Sequence, residues 1–357
     1  MKQVLVRSGS VVVEDVPAPK AEPGTVLVAV DHSAVSVGTE LSGVRTSGTP
    51  LWKRALAQPE NVKRVIEMVR TEGLAKTRSV VQGKLGSAAQ TGYSAAGVVL
   101  ELGKGVTDLA VGQRVACAGA GIANHAEVVA VPRNLVVPVP DEVDTREAAT
   151  VTLGAIAMQG VRRAEPTLGE TFVVIGLGIL GQLTVQLLKA DGCRVFGSDL
   201  DPQRVARAGE LGMDGALDPA DADTVARVLR ETGGHGADGV IITAAAPGDE
   251  IVSTAFALCR RKGRVVLVGD VGLGLNRADL YEKELDFLIS TSYGPGRYDT
   301  RYEDEGLDYP IGYVRWTENR NMAEYLRLIA DGRVVVEPLI DAVHPVADAP
   351  AAYAALQ

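Results

Sequence analysis

The sequence predicts an α/β protein with two domains, one built around a partly open β-barrel and one around a doubly wound parallel sheet. Three observations support this class. The chain has 357 residues, too many for one ordinary hydrophobic core. Its first part contains short apolar runs separated by Gly and Pro, whereas strand and helix patterns alternate from about residue 145. Within the alternating part, an apolar run leads directly into a glycine-rich turn.

The first domain is expected to span residues 1–144. Its predicted strands lie at residues 1–6, 11–13, 25–30, 97–102, 114–117, 126–131 and 135–137. An insertion at about residues 44–86 has helical periodicity, and Pro59 suits a first helical turn there. The insertion contains nine basic and three acidic residues. This excess either attracts an anionic substrate or forms a solvated face.

The second domain is expected to span residues 145–292, and residues 293–357 are expected to return to the first domain. The predicted strands of the parallel sheet lie at residues 171–175, 194–198, 239–243, 264–268 and 285–289. Helices are predicted at residues 182–190, 202–211, 250–258 and 318–330, and a last strand at residues 334–336. Alternating strands and helices place a ligand over the carboxyl ends of the strands.

The turn after the first strand of this sheet reads Gly-Leu-Gly-Ile-Leu-Gly. In a G-x-G-x-x-G turn, Gly176 makes the tight bend, Gly178 lets the backbone approach a pyrophosphate, and Gly181 lets the next helix pack on the strand. Ile179 and Leu180 lie within the turn and are expected to contact the cofactor, and the N-terminus of the helix that follows faces the phosphates. Because a strand precedes the turn and a helix follows it, the motif predicts a dinucleotide site.

An acidic residue at the end of the second strand bears on the choice of dinucleotide. Asp199 follows Gly181 by eighteen residues and can accept hydrogen bonds from both ribose hydroxyls of NAD. A 2′-phosphate would face its negative charge, so NAD is favoured over NADP. Arg204 either lies near a 2′-phosphate or is a solvated residue in the first turn of the next helix.

Composition excludes several function classes. The net charge is −9, so no global cationic field attracts nucleic acid or an anionic membrane. The chain starts directly with a predicted strand and has no apolar run of spanning length, which favours a cytoplasmic protein. Its three cysteines are scattered, and neither they nor His32, His125, His235 and His344 have metal-type spacing.

Residues 92–106 and 111–115, together with the order of the elements, resemble the medium-chain dehydrogenase/reductase superfamily. The resemblance covers nearly the whole chain. It implies a GroES-like catalytic domain built from both ends of the chain, a central Rossmann domain, a nicotinamide cofactor, and a homodimer or homotetramer paired along the strand at residues 285–289. Many members of the superfamily use a catalytic zinc ion.

The zinc ligands of that superfamily are replaced in this sequence. The segment that holds the ligand cysteine matches residues 37–40, which puts Val37 at the ligand position. The Gly-His-Glu segment matches Gly92, Tyr93 and Ser94, and the third ligand position falls near Val151. Valine offers zinc no lone pair, and a neutral phenol is a poor substitute for imidazole. We therefore expect no catalytic zinc.

Two further resemblances narrow the family. Residues 36–40 with Gly92 and Tyr93 resemble the zinc-free bacteriochlorophyllide hydroxyethyl dehydrogenases. Residues 293–298 and 313–322 resemble a bacterial subgroup associated with cell-surface sugar and secondary-metabolite clusters. The second resemblance implies a class of substrate, a sugar or a related metabolite.

Without zinc, hydrogen-bond donors must stabilise the developing oxyanion of the substrate. Thr39 occupies the position whose hydroxyl contacts the substrate oxygen in zinc-dependent relatives. Tyr93 either donates to the carbonyl and relays a proton, or fills the vacated metal cavity. Glu40 either orients Tyr93, acts as a base, or forms a salt bridge or hydrogen bond to the cofactor domain.

The segment after residue 292 is rich in aromatic residues. Five of the nine tyrosines fall between residues 293 and 316, together with Trp316. Tyr293, Tyr298 and Trp316 with Arg297 either form a wall that binds the apolar faces of a sugar, or pack a long loop against a neighbouring subunit.

These features lead to one leading hypothesis and several alternatives. The leading one is a zinc-independent, NAD-dependent oxidoreductase that transfers hydride between nicotinamide and a secondary alcohol or ketone of a sugar, cyclitol or related metabolite. A reductase of an activated C=C bond or quinone, an enzyme that uses NAD transiently without net redox change, and a non-catalytic NAD-binding protein remain open.

Overall fold

The computed structural model describes residues 1–7, 9–36, 38, 40 and 88–356. The insertion expected at about residues 44–86 lies outside the described residues. Val37 and Thr39 lie outside them as well.

A five-stranded antiparallel sheet forms the centre of the first part of the chain. Its strand order is β7-β3-β5-β6-β8. The strands are β3 (Thr25–Ser33), β5 (Ser94–Leu102), β6 (Arg114–Ala118), β7 (Val128–Pro132) and β8 (Val136–Pro138). The register between β3 and β5 shifts twice, and such irregularities bend a sheet. The sheet is therefore curled, as the predicted barrel requires.

A smaller sheet brings the two ends of the chain together. It has the order β2-β1-β4 and consists of β1 (Lys2–Arg7), β2 (Ser10–Asp15) and β4 (Ala89–Gln90). The C-terminal helix (Ala349–Ala355) packs on it, burying Ala349 and Tyr353 against Val4 and Val6. The end of the chain thus returns to the sheet that starts it.

The middle of the chain forms a six-stranded parallel sheet of order β11-β10-β9-β12-β14-β16. The strands are β9 (Thr171–Ile175), β10 (Arg194–Ser198), β11 (Gly215–Leu217), β12 (Ala237–Ile242), β14 (Cys259–Leu267) and β16 (Asp286–Ile289). A two-stranded sheet pairs β13 (Ala245–Ala246) with β15 (Asp270–Val271). The strand order reverses between β9 and β12, and doubly wound sheets bind ligands at such a switch point.

In order along the described chain, the α-helices are α1 (Thr145–Ala148), α2 (Val151–Ala164), α3 (Ile179–Ala190), α4 (Pro202–Glu210), α5 (Thr224–Glu231), α6 (Glu250–Leu258), α7 (Arg277–Tyr281), α8 (Thr300–Glu303), α9 (Glu318–Ala330) and α10 (Ala349–Ala355).

Helix α2 buries eleven of its fourteen residues. This is more than one face of a helix, because other elements cover α2 from several sides. A Cβ atom at Gly154 would lie 2.3 Å from the Tyr325 ring of α9, and one at Gly160 would lie 2.5 Å from Val268 after β14. Small residues therefore allow this close packing.

The structure confirms the predicted strands β9 and β10 and the predicted helices α6 and α9 residue for residue. The strand predicted at residues 334–336 is wrong. There, the side-chain amide of Gln186 on α3 both accepts from the Val335 N–H at 2.7 Å and donates to its carbonyl at 3.1 Å. One side chain takes the place of a neighbouring strand, which hydrophobic periodicity does not reveal.

Within the described residues, no helix combines the length and apolar character needed to cross a bilayer. Cys117, Cys193 and Cys259 are all buried free thiols.

Candidate functional site

The predicted glycine turn connects β9 to α3 at the switch point of the parallel sheet. Gly176 has φ +92°, and a Cβ atom there would lie 2.6 Å from the Ala244 nitrogen, so both its conformation and its surroundings require glycine. A Cβ atom at Gly181 would lie 1.9 Å from the Gly176 carbonyl oxygen. Gly178 caps the N-terminus of α3, and the space beside its Cα is open. The turn thus forms an open cradle at a helix N-terminus, with Ile179 and Leu180 in the first helical turn.

The carboxylate of Asp199 lies beside this cradle. Its Oδ2 accepts a hydrogen bond from the Leu177 N–H at 2.6 Å, and its Oδ1 accepts one from the Asp201 N–H at 2.9 Å. The Arg204 Nη1 is 3.7 Å from the same carboxylate, on an exposed side chain in the first turn of α4. Leu200, which follows Asp199, has 88% of its surface exposed. Leu200 is therefore an additional candidate residue beside Asp199, and the sequence pattern did not single it out.

Tyr93 lies where the curled sheet meets α2. Its carbonyl oxygen accepts hydrogen bonds from the Thr152 Oγ1 at 2.9 Å and from the Gly119 N–H at 3.0 Å. The neighbouring Ser94 Oγ donates to the Ala149 carbonyl at 2.6 Å and accepts from the Thr152 N–H at 3.1 Å. The start of α2 is therefore tied to the start of β5 by uncharged groups.

Glu40 is buried, and four hydrogen bonds reach its carboxylate. Its Oε2 accepts hydrogen bonds from the His125 Nε2 at 2.9 Å, the Thr91 Oγ1 at 3.1 Å and the Tyr353 hydroxyl. Its Oε1 accepts from the Ser36 N–H at 3.0 Å. These partners belong to the first and last parts of the chain, whereas one predicted alternative placed the partner of Glu40 in the cofactor domain.

The electrostatics of Glu40 favour its ionised form. Burial acts to raise the pKa of this carboxyl group, but the hydrogen bond and charge of His125, with the hydrogen bonds from Tyr353 and Ser36, outweigh burial and hold the pKa below its usual value. A carboxylate with a low pKa and four donors is a weak base. This geometry favours a positioning role over the alternative of a general base.

The aromatic tail divides into buried and exposed residues. Tyr293 is buried, and its carbonyl accepts a hydrogen bond from the Asn321 Nδ2 at 3.0 Å. Arg297 pairs with Glu303 at 2.6 Å and lies 4.1 Å over the ring of Tyr298, which is 70% exposed. Tyr298 is thus the tail aromatic among the predicted substrate residues that presents surface to a ligand.

Trp316 does not offer the open face that a sugar-binding wall needs. The guanidinium carbons of Arg162 and Arg315 lie 3.3 Å and 3.8 Å from the ring centroid. Two guanidinium groups this close must occupy opposite faces of the indole. Together with the burial of Tyr293, this favours a packing role for these aromatic residues over a sugar-binding wall. The packing that the structure shows is within the chain itself, whereas the predicted alternative was packing against a neighbouring subunit.

Sequence reasoning missed Glu318, the first residue of α9. It is completely buried, and among the described residues neither carboxyl oxygen has a hydrogen-bond partner. Burial, reinforced by the charge of Glu303 and opposed by that of Arg297, raises the pKa of Glu318 to about 9. The group is therefore neutral at physiological pH. Its position at a helix start gave it the pattern of an ordinary acidic first-turn residue, so its burial was not visible in the sequence.

Comparison with known proteins follows the same division of the chain. A model of the alcohol dehydrogenase GroES-like domain matches residues 67–141, and a model of zinc-binding dehydrogenases matches residues 180–305. D-guloside 3-dehydrogenase of Shigella flexneri is 30% identical over 271 residues, which is 74% of this chain and 72% of that protein. An alcohol dehydrogenase of Rhizobium meliloti is 37% identical over 123 residues, but the match spans only 35% of its length and 34% of this chain.

The chain belongs to the medium-chain dehydrogenase/reductase superfamily, and its fold combines a GroES-like domain with a Rossmann-like parallel sheet. The alcohol dehydrogenase TADH from Thermus sp. ATN1 superposes with a TM-score of 0.74 at 20% identity, covering 99% of this chain and 96% of that one. Its likeness supports the fold. The dehydrogenase relatives support an oxidoreductase, and membership implies a nicotinamide cofactor.

The neutral Glu318 predicts an unusual dependence of stability on pH. A raised pKa in the folded state contributes stability that is present below the unfolded value of 4.5 and is lost as the pH rises toward about 9. In the wild type, this loss lowers the free energy of unfolding by up to about 1.4 kcal/mol for each pH unit in that range. Glu318→Gln removes the titrating group and therefore the loss. The Tm of the variant minus the Tm of the wild type should therefore be larger at pH 8 than at pH 5.5. Differential scanning calorimetry measures both values.

The matched control for this experiment is Glu324→Gln on the same helix. Glu324 pairs with Arg327, and that hydrogen bond lowers its pKa, so its substitution gains nothing as the pH rises. A difference between Glu318→Gln and the wild type that stays constant from pH 5.5 to 8 would show that Glu318 is ionised in the folded protein.

Proposed function

We propose that the chain is a zinc-independent, NAD-dependent oxidoreductase. It transfers hydride between nicotinamide and a secondary alcohol or ketone of a sugar, cyclitol or related metabolite. The observation that carries the proposal is the open glycine cradle with the Asp199 carboxylate beside it, at the switch point of the sheet. The proposal also rests on the residues that stand where the superfamily places its zinc ligands.

The cradle fits a dinucleotide. The open space at Gly178 and the free N–H groups at the start of α3 suit a pyrophosphate. Asp199 suits ribose hydroxyls and disfavours a 2′-phosphate, and Leu200 offers an apolar face to the adenine. Arg204 lies near Asp199 and is partly neutralised by it and by Asp201, whose carboxylate is 3.5 Å from the Arg204 Nε. These features favour NAD over NADP.

The residues at the ligand positions do not fit zinc. Val37 and Val151 have no lone pairs to offer. The hydroxyls of Ser94 and Thr152 are engaged by their neighbours at the start of α2. In the part of the chain that the structure describes, no cluster of three His, Cys, Asp or Glu side chains is arranged to hold a metal ion. Because valine stands at two of the ligand positions, the proposed reaction uses protein donors.

Thr39 and Tyr93 are the proposed donors to the substrate oxygen. When bound, the nicotinamide ring supplies the hydride acceptor or donor. In alcohol oxidation, Thr39 and Tyr93 stabilise the negative charge that develops on the oxygen, and Tyr93 relays the hydroxyl proton away. Glu40 supports the segment that carries Thr39. Arg297 and Tyr298 are proposed contacts for the substrate, whereas Tyr293 and Trp316 hold the tail in place.

The relatives support a polyhydroxylated substrate. D-guloside 3-dehydrogenase of Shigella flexneri and 2-dehydro-3-deoxy-L-galactonate 5-dehydrogenase of Pseudoalteromonas atlantica are named for oxidation at a sugar carbon. The second is 28% identical over 218 residues, which is 60% of this chain and 56% of that protein. A secondary hydroxyl on a sugar-derived carbon chain is the shared chemistry.

We further propose a homodimer or a dimer of such dimers, a cytoplasmic location, and domains at residues 1–144, 145–292 and 293–357. The strand β16 is at the edge of the parallel sheet, and Ile289 at its end is half exposed, so the edge is available to a second copy. Three buried free thiols suit a reducing compartment.

Cofactor preference tests the role of Asp199. Asp199→Asn removes the negative charge, so NADH affinity should fall by roughly 10-fold to 100-fold, as expected for a charged hydrogen bond, while NADPH affinity rises. Isothermal titration calorimetry measures both. The control is Asp144→Asn, which exchanges the side-chain cap of α1 in the first part of the chain. Asparagine also caps a helix N-terminus well, so this variant should leave the cofactor preference unchanged. Tighter binding of NADPH than NADH by the wild type would instead favour a C=C or quinone reductase.

Hydride transfer tests the proposed donors. Thr39→Val and Tyr93→Phe should each lower kcat by roughly 10²–10³, because each removes one donor from the oxyanion. NADH dissociation constants should stay within about twofold, since neither residue is assigned to the cofactor. D-gulosides and (R,R)-butanediol serve as first probes, and Tyr281→Phe, an exposed tyrosine, is the control. Full turnover in the double variant would disprove the assignment, and absence of any nicotinamide binding would disprove the function.

A further inference from the structure

We propose that Tyr353, on the C-terminal helix, is a positioning residue for Glu40, which follows the proposed donor Thr39 in the sequence. Together with His125 and Thr91, Tyr353 holds the Glu40 carboxylate in one orientation. This inference rests on the proposed function of Thr39 and extends it to a residue more than 300 positions away in the chain.

The first step concerns the hydrogen bonds that join Ser36 and Glu40. The Glu40 N–H donates to the Ser36 carbonyl at 2.9 Å, and the Ser36 N–H donates to the Glu40 Oε1 at 3.0 Å. Both the backbone and the side chain of Glu40 therefore bond to Ser36, in the manner of a reciprocal helix cap. Glu40 directly follows the proposed donor Thr39 in the sequence.

The second step concerns the other carboxyl oxygen. Three side chains donate to the Glu40 Oε2, and each comes from a different part of the chain: Thr91, His125 and Tyr353. A carboxylate accepts such bonds at several lone pairs, and charge-assisted bonds are the stronger kind. With both oxygens engaged, the side chain has one orientation. The positions of Glu40 and its partner Ser36 therefore depend on three side chains from distant parts of the chain.

His125 is itself fixed. Its Nδ1 is 2.7 Å from the Ser33 Oγ, and its Nε2 faces the carboxylate, which can only accept. In the neutral ring this requires the proton on Nε2 and a hydrogen bond from Ser33 to Nδ1. The Tyr353 ring lies edge-on at 6.3 Å from the imidazole. His125 and Tyr353 therefore approach the carboxylate from adjoining directions.

Tyr353 reaches the carboxylate because α10 packs on the sheet of β1 and β2. The residue is 2% exposed and belongs to the apolar cluster with Val4 and Val6. Burial and the charge of Glu40 both raise the pKa of the Tyr353 phenol, so its hydroxyl stays protonated and donates to the carboxylate. Its ring is fixed by packing and its hydroxyl by Glu40, as a positioning residue requires.

The test compares Tyr353→Phe with Tyr325→Phe. Both remove the hydroxyl of a buried tyrosine and keep the ring, but the Tyr325 hydroxyl bonds to the Thr150 Oγ1 at 2.8 Å instead of to Glu40. Hydrogen–deuterium exchange of the peptide covering residues 34–40, measured by mass spectrometry, should be about tenfold faster in Tyr353→Phe only. Thr91→Val, which removes another donor to the same oxygen, should act in the same direction and serves if Tyr353→Phe does not fold.

Kinetics provide the second readout. With NAD+ as the hydride acceptor and the alcohol probes named above, Tyr353→Phe should lower kcat about tenfold without changing the NADH dissociation constant. Glu40 loses one bond that lowers its pKa, so the acid limb of the kcat profile should move to higher pH; His125 and Tyr93 are the other titratable groups that face this site. A purely structural loss would lower kcat equally at all pH values.

Unchanged exchange at residues 34–40 in both Tyr353→Phe and Thr91→Val overturns the proposal. Faster exchange in Tyr353→Phe with an unshifted pH profile of kcat also overturns the proposal. The peptide at residues 34–40 would then be less protected without any effect on the reaction. If the wild type transfers no hydride from any probe to NAD+, the proposed function fails, while the exchange comparison still decides whether Tyr353 positions Glu40.

Discussion

The close packing of α2 between the two sheets and against α9 is the constraint on which the rest of the structure depends. This helix lies between the curled sheet and the parallel sheet, and its small residues let α9 and the end of β14 approach its axis. Its first turn fixes Tyr93 through Thr152, and its later turns pack on strands of the cofactor sheet, including Ile241. Interiors at this density transmit changes of even one methylene group. The same rigid element therefore sets the distance between the proposed oxyanion donors and the cofactor cradle.

The two sides of the site use different physical means to fix their geometry. On the cofactor side, backbone groups and the absence of Cβ atoms at Gly176 and Gly181 shape the cradle. On the catalytic side, a network of side chains holds one buried carboxylate, that of Glu40. A buried charge is tolerated because four donors satisfy it. Side-chain hydrogen bonds thus fix this side of the site, whereas backbone groups fix the other.

The sequence predicted those parts of the molecule that depend on local pattern. The strands β9 and β10 are continuous apolar runs, and α9 has clear helical periodicity, so their bounds were found from neighbouring residues alone. The glycine turn was found because close backbone approach permits only one residue type. The partners of Glu40 could not be predicted, since Tyr353 is 313 residues away and the contact exists only after α10 packs on β1. The density of aromatic residues in the tail likewise did not show that Trp316 is covered by Arg162, or that Glu318 is buried and neutral.

The central claim is that hydride transfer proceeds on protein donors without zinc. Its most direct test is the zinc content of the purified protein, measured by inductively coupled plasma mass spectrometry on samples whose turnover is recorded before and after treatment with a chelator. Our account predicts turnover at a zinc content far below one ion per chain, unchanged by the chelator and not increased by added zinc. Turnover that scales with zinc content, disappears on chelation and returns when zinc is added would contradict it.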